Sequence, residues 1–434
     1  MTSMTSVRLL PDHPYVDSSL VDRVRRDYER LARGHWPHPI EEYLADEYAL
    51  DVSTDYAGLP LRNPWGKASG QLSMTAAQVA EDVEAGLGFV VLKTVIAQDS
   101  AANQSMQEWA IRESRMSVER IVGRSGEPGW TTTWKGRGWW QPFDDYLNLV
   151  REARRLARAS RTLIVPSCKF HLPAGSGEEW RMEEYDFTVN KLLEAWQSDD
   201  KLAVMPLEKD FSPTLAGSDR ARQRGTILSW LRSVPRLIRA AAKKSGAGSA
   251  GTSVRVGLKV FNALDDDAFQ VEMLRTIHEA EDDRPDFFVY ANRLFDPRRE
   301  FEGQLGIAYG GPDLSDRNLR ILGEFDRRFQ AGEIARPPIP WSATGNISSG
   351  RTALEYALRG ATSFQLHTFF QLPSDQFCRF EGPKTEKALH ELYFHPDLGF
   401  IVWMWHLARA LGLPSDRIGF RDIVGQVSRS ANDV

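Results

Sequence analysis

The stretch that most constrains this chain runs from Pro338 to Phe370, PIPWSATGNISSGRTALEYALRGATSFQLHTFF. Its pattern changes period twice. Ile339–Ala343 is a short apolar run that ends at Thr344-Gly345-Asn346, a turn signal. Ala353, Leu354, Ala357 and Leu358 then recur at helical spacing, and Gly360 stands where a helix C-cap belongs. Thr362–Thr368 reads as a second strand. Strand, tight turn, helix and strand make one βαβ unit of about thirty residues. Small residues between a strand end and a helix N-terminus let backbone N–H groups approach a phosphate. In a (β/α)8 barrel the last two such turns are where a phosphate is usually held. An ordinary crossover has the same pattern, so the unit alone leaves phosphate binding open.

Strand and helix patterns alternate through the preceding chain. Strands are expected up to Gly70, at Phe89–Val95, Arg161–Ser167, Leu202–Leu207, Val254–Phe261 and Asp286–Ala291. Helices are expected at Met74–Gly86, Asp144–Ala159, Glu183–Gln197, Arg220–Lys244 and Ile401–Leu411. That alternation predicts an α/β fold, a (β/α)8 TIM barrel, over most of the chain. Residues 1–55 are expected to be an N-terminal extension packed on it, with a helix over Leu20–Ala32. Residues 56–434 would form the barrel, with a large excursion after strand 2, Ile96–Trp140. Ser245–Thr252 reads as a flexible loop inside it. Two strands carry a lysine in apolar company, Lys93 and Lys259, and a buried lysine needs a paired charge.

Bulk properties narrow the function classes. A net charge of −5 gives no general attraction to nucleic acid. The two cysteines, Cys168 and Cys378, are too few for a disulfide framework or a four-cysteine cluster. His35 and His38 flank Pro37 and read as surface histidines; no metal site is expected. No apolar run reaches the length of a membrane span, and the first residues lack the apolar core of a signal peptide. The expectation is a cytoplasmic protein with a small-molecule partner and neither membrane nor nucleic acid.

The strand-end motifs, taken together, resemble the dihydroorotate dehydrogenase family. Ala343-Thr344-Gly345-Asn346-Ile347 and His367-Thr368 stand where that family has Gly-Thr-Gly-Gly-Ile and Gly-Thr. Asn63-Pro64 followed by Ala68-Ser69-Gly70, then Lys93-Thr94, Lys259, Asn292 and Gly310-Gly311 come in the family's order. Ser212-Pro213 matches the family's serine form of the catalytic base, while its flanking asparagines fall on Lys209 and Thr214. The Trp130–Trp140 part of the excursion is most similar to dihydropyrimidine dehydrogenase.

The resemblance implies FMN as cofactor, bound by Ala68, Ser69, Gly70, Lys93, Lys259, Gly310, Gly311, Thr344, Gly345, Asn346, His367 and Thr368. It implies Ser212 as catalytic base with Lys209 as its helper, and Asn292, Thr214, Trp134 and Lys135 at the substrate. The expected activity is a flavin-dependent oxidoreductase acting on CH–CH bonds of a small, cyclic or aromatic substrate. Most of the asparagines that grip orotate are missing, which points away from dihydroorotate itself. The alternatives are a genuine dihydroorotate or dihydropyrimidine dehydrogenase, and a phosphate-binding lyase or isomerase barrel without flavin. The electron partner (oxygen, NAD(P)H or a protein) and a homodimer stay open.

Overall fold

Eight parallel strands close on themselves, and the computed structural model describes them within residues 7–112, 116–134, 138–244, 254–335 and 338–426. In chain order they are β1 (Trp65–Lys67), β2 (Phe89–Val91 and Val95–Ile96), β3 (Leu163–Val165 and Ser167–Lys169), β4 (Met205–Asp210), β5 (Val254–Lys259), β6 (Phe287–Tyr290), β7 (Trp341–Thr344) and β8 (Ala361–Leu366). Each pairs with the next, and β8 pairs back onto β1 through Phe364↔Trp65. Helices follow every strand on the outside, including Ala76–Ala85, Phe143–Ala157, Met182–Trp196, Arg224–Lys244, Asp267–Glu279, Pro312–Gln330 and Gly350–Leu358. This is the expected (β/α)8 barrel. The loop expected at Ser245–Thr252 lies outside the described residues, as does Lys135.

Two strands are interrupted where the sequence reads continuous. β2 breaks at Lys93-Thr94 because loops take its hydrogen bonds. The Lys93 N–H donates to Ser73 O (3.0 Å), and Thr94 O accepts from the Trp139 N–H (2.7 Å). β3 breaks at Pro166, which has no N–H to give to a ladder. β4 runs on to Asp210, past the expected end at Leu207, because its register with β5 holds through Asp210↔Lys259. β8 stops at Leu366, and Thr368 begins a one-turn helix instead of ending a strand.

Residues ahead of β1 close one end of the barrel. The helix Ser18–Arg33 buries Leu20, Val24 and Leu31 against Lys384–Phe394 and Phe400–Ala410. A short hairpin, Thr54–Tyr56 with Leu59–Leu61, sends Tyr56 inside, 4.8 Å from the Phe89 ring and 4.9 Å from Phe287. None of the described helices is long and apolar enough to cross a membrane.

At the other end two antiparallel hairpins cover the mouth, and neither is legible as a strand pair in the sequence. Met116–Val122 pairs with Pro128–Trp134 after β2, and Leu294–Phe301 with Gln304–Tyr309 after β6. Gly310-Gly311 follow the second hairpin directly, between Tyr309 and the helix that starts at Pro312. The hairpins are joined by an Arg299–Glu119 ion pair (3.1 Å) and by the Gly310 N–H donating to Thr131 Oγ1 (2.9 Å).

Alternation along β4 separates its charged residues. Glu208 and Asp210 face the barrel interior, while Lys209 lies behind the sheet beside Cys168 of β3. Its ammonium donates to Asp210 O (2.9 Å) and sits 4.2 Å from the Phe211 ring centroid. Burial, aided by repulsion from Lys169, lowers its pKa from 10.5 to about 7. The unfolded chain therefore binds this proton between pH 7 and 10 while the folded chain does not, so stability rises with pH across that window. Lys209→Met should stabilise the protein at pH 7 by roughly 1–4 kcal/mol and flatten that rise, which urea unfolding at neutral and alkaline pH will show.

Candidate active site

The cavity floor is a buried polar network at mid-barrel. Glu208, with no exposed side chain, accepts from Tyr56 Oη (3.0 Å) and Gln365 Nε2 (2.7 Å). Lys259 Nζ lies 3.6 Å from its other oxygen and donates to Gln365 Oε1 (3.2 Å). A lone charge here would cost several kcal/mol, so the lysine and the glutamate depend on each other.

Above this floor a cavity of about 530 Å³ opens at the C-terminal ends of the strands, the size of a small-molecule site. Of the residues expected from sequence, Ala68, Ser69, Gly70, Lys93, Ser212, Thr214, Lys259, Asn292, Gly310, Gly311, Trp134, Thr344, Gly345, Asn346, His367 and Thr368 all line it. Lys209 does not, for the reason of alternation given above.

The β7 turn needs its glycine. Gly345 has φ +121°, and an added Cβ would lie 2.7 Å from Asn318 Nδ2. Asn346 takes φ +52° beside it and donates to Ser315 Oγ (3.0 Å). Thr344 Oγ1 donates to Gln365 O (2.9 Å), tying the turn to β8. Next along, the His367 imidazole fills the space over Gly70, where a Cβ would come within 2.3 Å of Nε2. It bonds Gln71 Oε1 (3.1 Å) and packs on Trp134, ring centroids 4.9 Å apart. Burial, with Arg293, Lys93, Lys259 and Lys67 nearby, pushes its pKa well below the ordinary histidine value, so the ring is neutral.

The opposite wall carries the polar groups. Asp210 pairs with Lys169 (3.1 Å) and accepts from Asn292 Nδ2 (3.0 Å). Burial pushes this carboxyl up, but Lys169, Lys259 and Asn292 outweigh it and hold it below the usual range. Ser212 follows with φ −53° and ψ 139°, the extended geometry that a following proline favours, and shares a hydrogen bond with Thr214 Oγ1 (3.0 Å). Arg293 completes the rim, its guanidinium 3.9 Å from the Trp134 ring centroid.

Sequence reasoning missed Glu208, Asp210 and Arg293. The first two are spaced i, i+2, which becomes a signal only once the strand is carried to Asp210. Arg293 directly follows the strand-end Asn292, and its charge at that place was the available sign.

No protein-family model matches the chain, and no curated protein matches it in sequence. Among solved structures, its fold is similar to that of a dihydroorotate dehydrogenase (DHODH) from Eimeria tenella crystallised with ferulenol. The two share 14% identity at a TM-score of 0.56, over 97% of this chain and 98% of that one.

The floor network makes a stability prediction. Lys259→Met strands the Glu208 charge and should cost roughly 3–5 kcal/mol in urea unfolding. Adding Glu208→Gln, whose amide still meets Gln365 and Tyr56, should restore most of it. A single variant as stable as the parent would mean that the pair carries no such dependence.

Proposed function

We propose that the chain is an FMN-dependent oxidoreductase, built like the dihydroorotate dehydrogenases, that acts on a CH–CH bond of a different small substrate. The observation that carries this reading is one cavity that collects the small-residue turns after β7 and β8, both strand lysines and Ser212.

The residues present fit such a cofactor on structural grounds. Gly345 leaves no room for a side chain, a Cβ on Gly310 would meet nothing closer than 3.8 Å, and both glycines line the cavity. Gly345, Asn346 and Thr368 would hold the phosphate. Ala68, Ser69 and Gly70 would line the ring, with Lys93 and Lys259 supplying positive charge. FMN, when bound, supplies the hydride acceptor or donor. His367 over Gly70 departs from the family's glycine, and it is the observation that favours the second reading, a flavin-free phosphate-binding barrel.

The chain's own part is proton handling and orientation. Ser212 would take or give the proton at the substrate carbon, its direction fixed by Pro213 and Thr214. A hydroxyl alone is a poor base, and Lys209 is turned away from the cavity. Asp210, ionised on the same wall, is the remaining acceptor for a relayed proton, a weak base because Lys169, Lys259 and Asn292 outweigh burial and hold its pKa low. Asn292, anchored to Asp210 and to Phe211 O (2.8 Å), would orient the substrate. Among the described lining residues only Asn292 and Asn346 are asparagines, so the hydrogen-bond set used for dihydroorotate is incomplete.

The absorbance spectrum of the purified protein, with the released cofactor identified by mass, tests the reading. Visible flavin bands from FMN are expected, and Gly345→Val should lose them. A colourless protein that takes up no added FMN overturns it. Once a substrate is in hand, Ser212→Ala should slow flavin reduction by roughly two to four decades in stopped flow, the usual contribution of a general base, with flavin content unchanged.

A further inference from the structure

Arg293 lies at the end of β6, lines the cavity, and is not accounted for by the floor network or by the β7 and β8 turns. Its one hydrogen bond among the described residues goes to Thr132 O, on the roof hairpin. A guanidinium has five donors in a planar fork, so most of them remain for a ligand. The guanidinium carbon lies over the Trp134 ring, 3.9 Å from its centroid, and Trp134 is itself backed by His367.

The charges around it make the case sharper. Asp210 is engaged by Lys169, and Glu208 by Lys259. No carboxylate of the described residues lies within ion-pair distance of Arg293. Burial lowers its pKa to about 9, which leaves it charged at neutral pH. Arg293 is half-buried and lines the cavity, so its free donors are open to a ligand, and a planar fork suits a two-oxygen anion.

We infer that Arg293 is an anion-recognition residue of this cavity and that the substrate carries a carboxylate or phosphate group bound there. The inference rests on reading the cavity as a substrate site. The anion subsite sits at the end of β6, whereas the cofactor phosphate proposed above belongs to β7 and β8. The same oxyanion chemistry has these two sources, and the experiment separates them.

Purified full-length protein is titrated by calorimetry with sodium benzoate, sodium phosphate and, as a neutral control, benzamide. Flavin content is followed by absorbance throughout. The expected result is that at least one anion binds, that benzamide does not, and that no flavin is released. Arg293→Gln should weaken the anion roughly 10- to 100-fold, the loss of one charged hydrogen-bonding group. Arg293→Lys, which keeps the charge but loses the fork, should fall between. Equal anion binding in the parent and in folded Arg293→Gln overturns the inference, as does no anion binding at millimolar concentration. Anions that displace flavin, or an Arg293→Gln protein that loses flavin, would give Arg293 to the cofactor and overturn the substrate assignment. A flavin-free protein fails the proposed function but still reads out in this titration, so the two failures are distinguishable.

Discussion

Glu208 is a carboxylate inside the barrel with none of its side chain exposed, and residues from three other elements converge on it. Tyr56 comes up from the N-terminal hairpin, Lys259 across from β5, and Gln365 from β8. Each of these positions is hard to understand alone. A strand lysine surrounded by valine and leucine is an error of burial until the glutamate is counted. The hairpin ahead of β1 would be a simple plug, but its tyrosine hydroxyl is needed to satisfy the carboxylate. The network thereby sets the depth of the cavity. Below it the barrel is aromatic and dry, with Phe89 and Phe287 packed on Tyr56. Above it the walls are polar and open to a ligand.

Charge follows from the same constraint. Because Glu208 and Asp210 each have a lysine partner, the acidic groups facing the cavity do not neutralise what stands at the rim. The imidazole of His367 answers this surplus by staying uncharged. Asp210 answers it by staying ionised. The two groups sit in one cavity and both titrate below their ordinary values: burial and the nearby cations together lower His367, while at Asp210 the cations and Asn292 outweigh burial.

The barrel was legible in the sequence because alternation of strand and helix periods survives at low similarity, and the turn Thr344-Gly345-Asn346 carries its own backbone demand. Strand limits were less legible. The break at Lys93-Thr94 comes from hydrogen bonds to loops that no local pattern announces, whereas Pro166 carried a local sign of its own, and Asp210 belongs to a strand only through its register with Lys259. That register also decides which way Lys209 points, so its expected nearness to Ser212 could not be checked by spacing. The roof hairpins were least legible. Leu294–Phe301 contains Asp296-Pro297-Arg298-Arg299, a turn-like run that pairs irregularly and is held by its contacts with the other hairpin. Tertiary context outweighs propensity there.

The contact between Gly70 and His367 joins two positions nearly three hundred residues apart in the chain. The imidazole occupies the volume that a side chain at position 70 would need. Histidine at one position and glycine at the other thus form a single steric unit. In the free-energy terms of paired substitutions, their effects are non-additive: a Cβ at residue 70 clashes with the imidazole, while after His367 is cut back to glycine the three atoms nearest to it are gone. Glycine at position 70 is thus a steric requirement for as long as the imidazole stands over it.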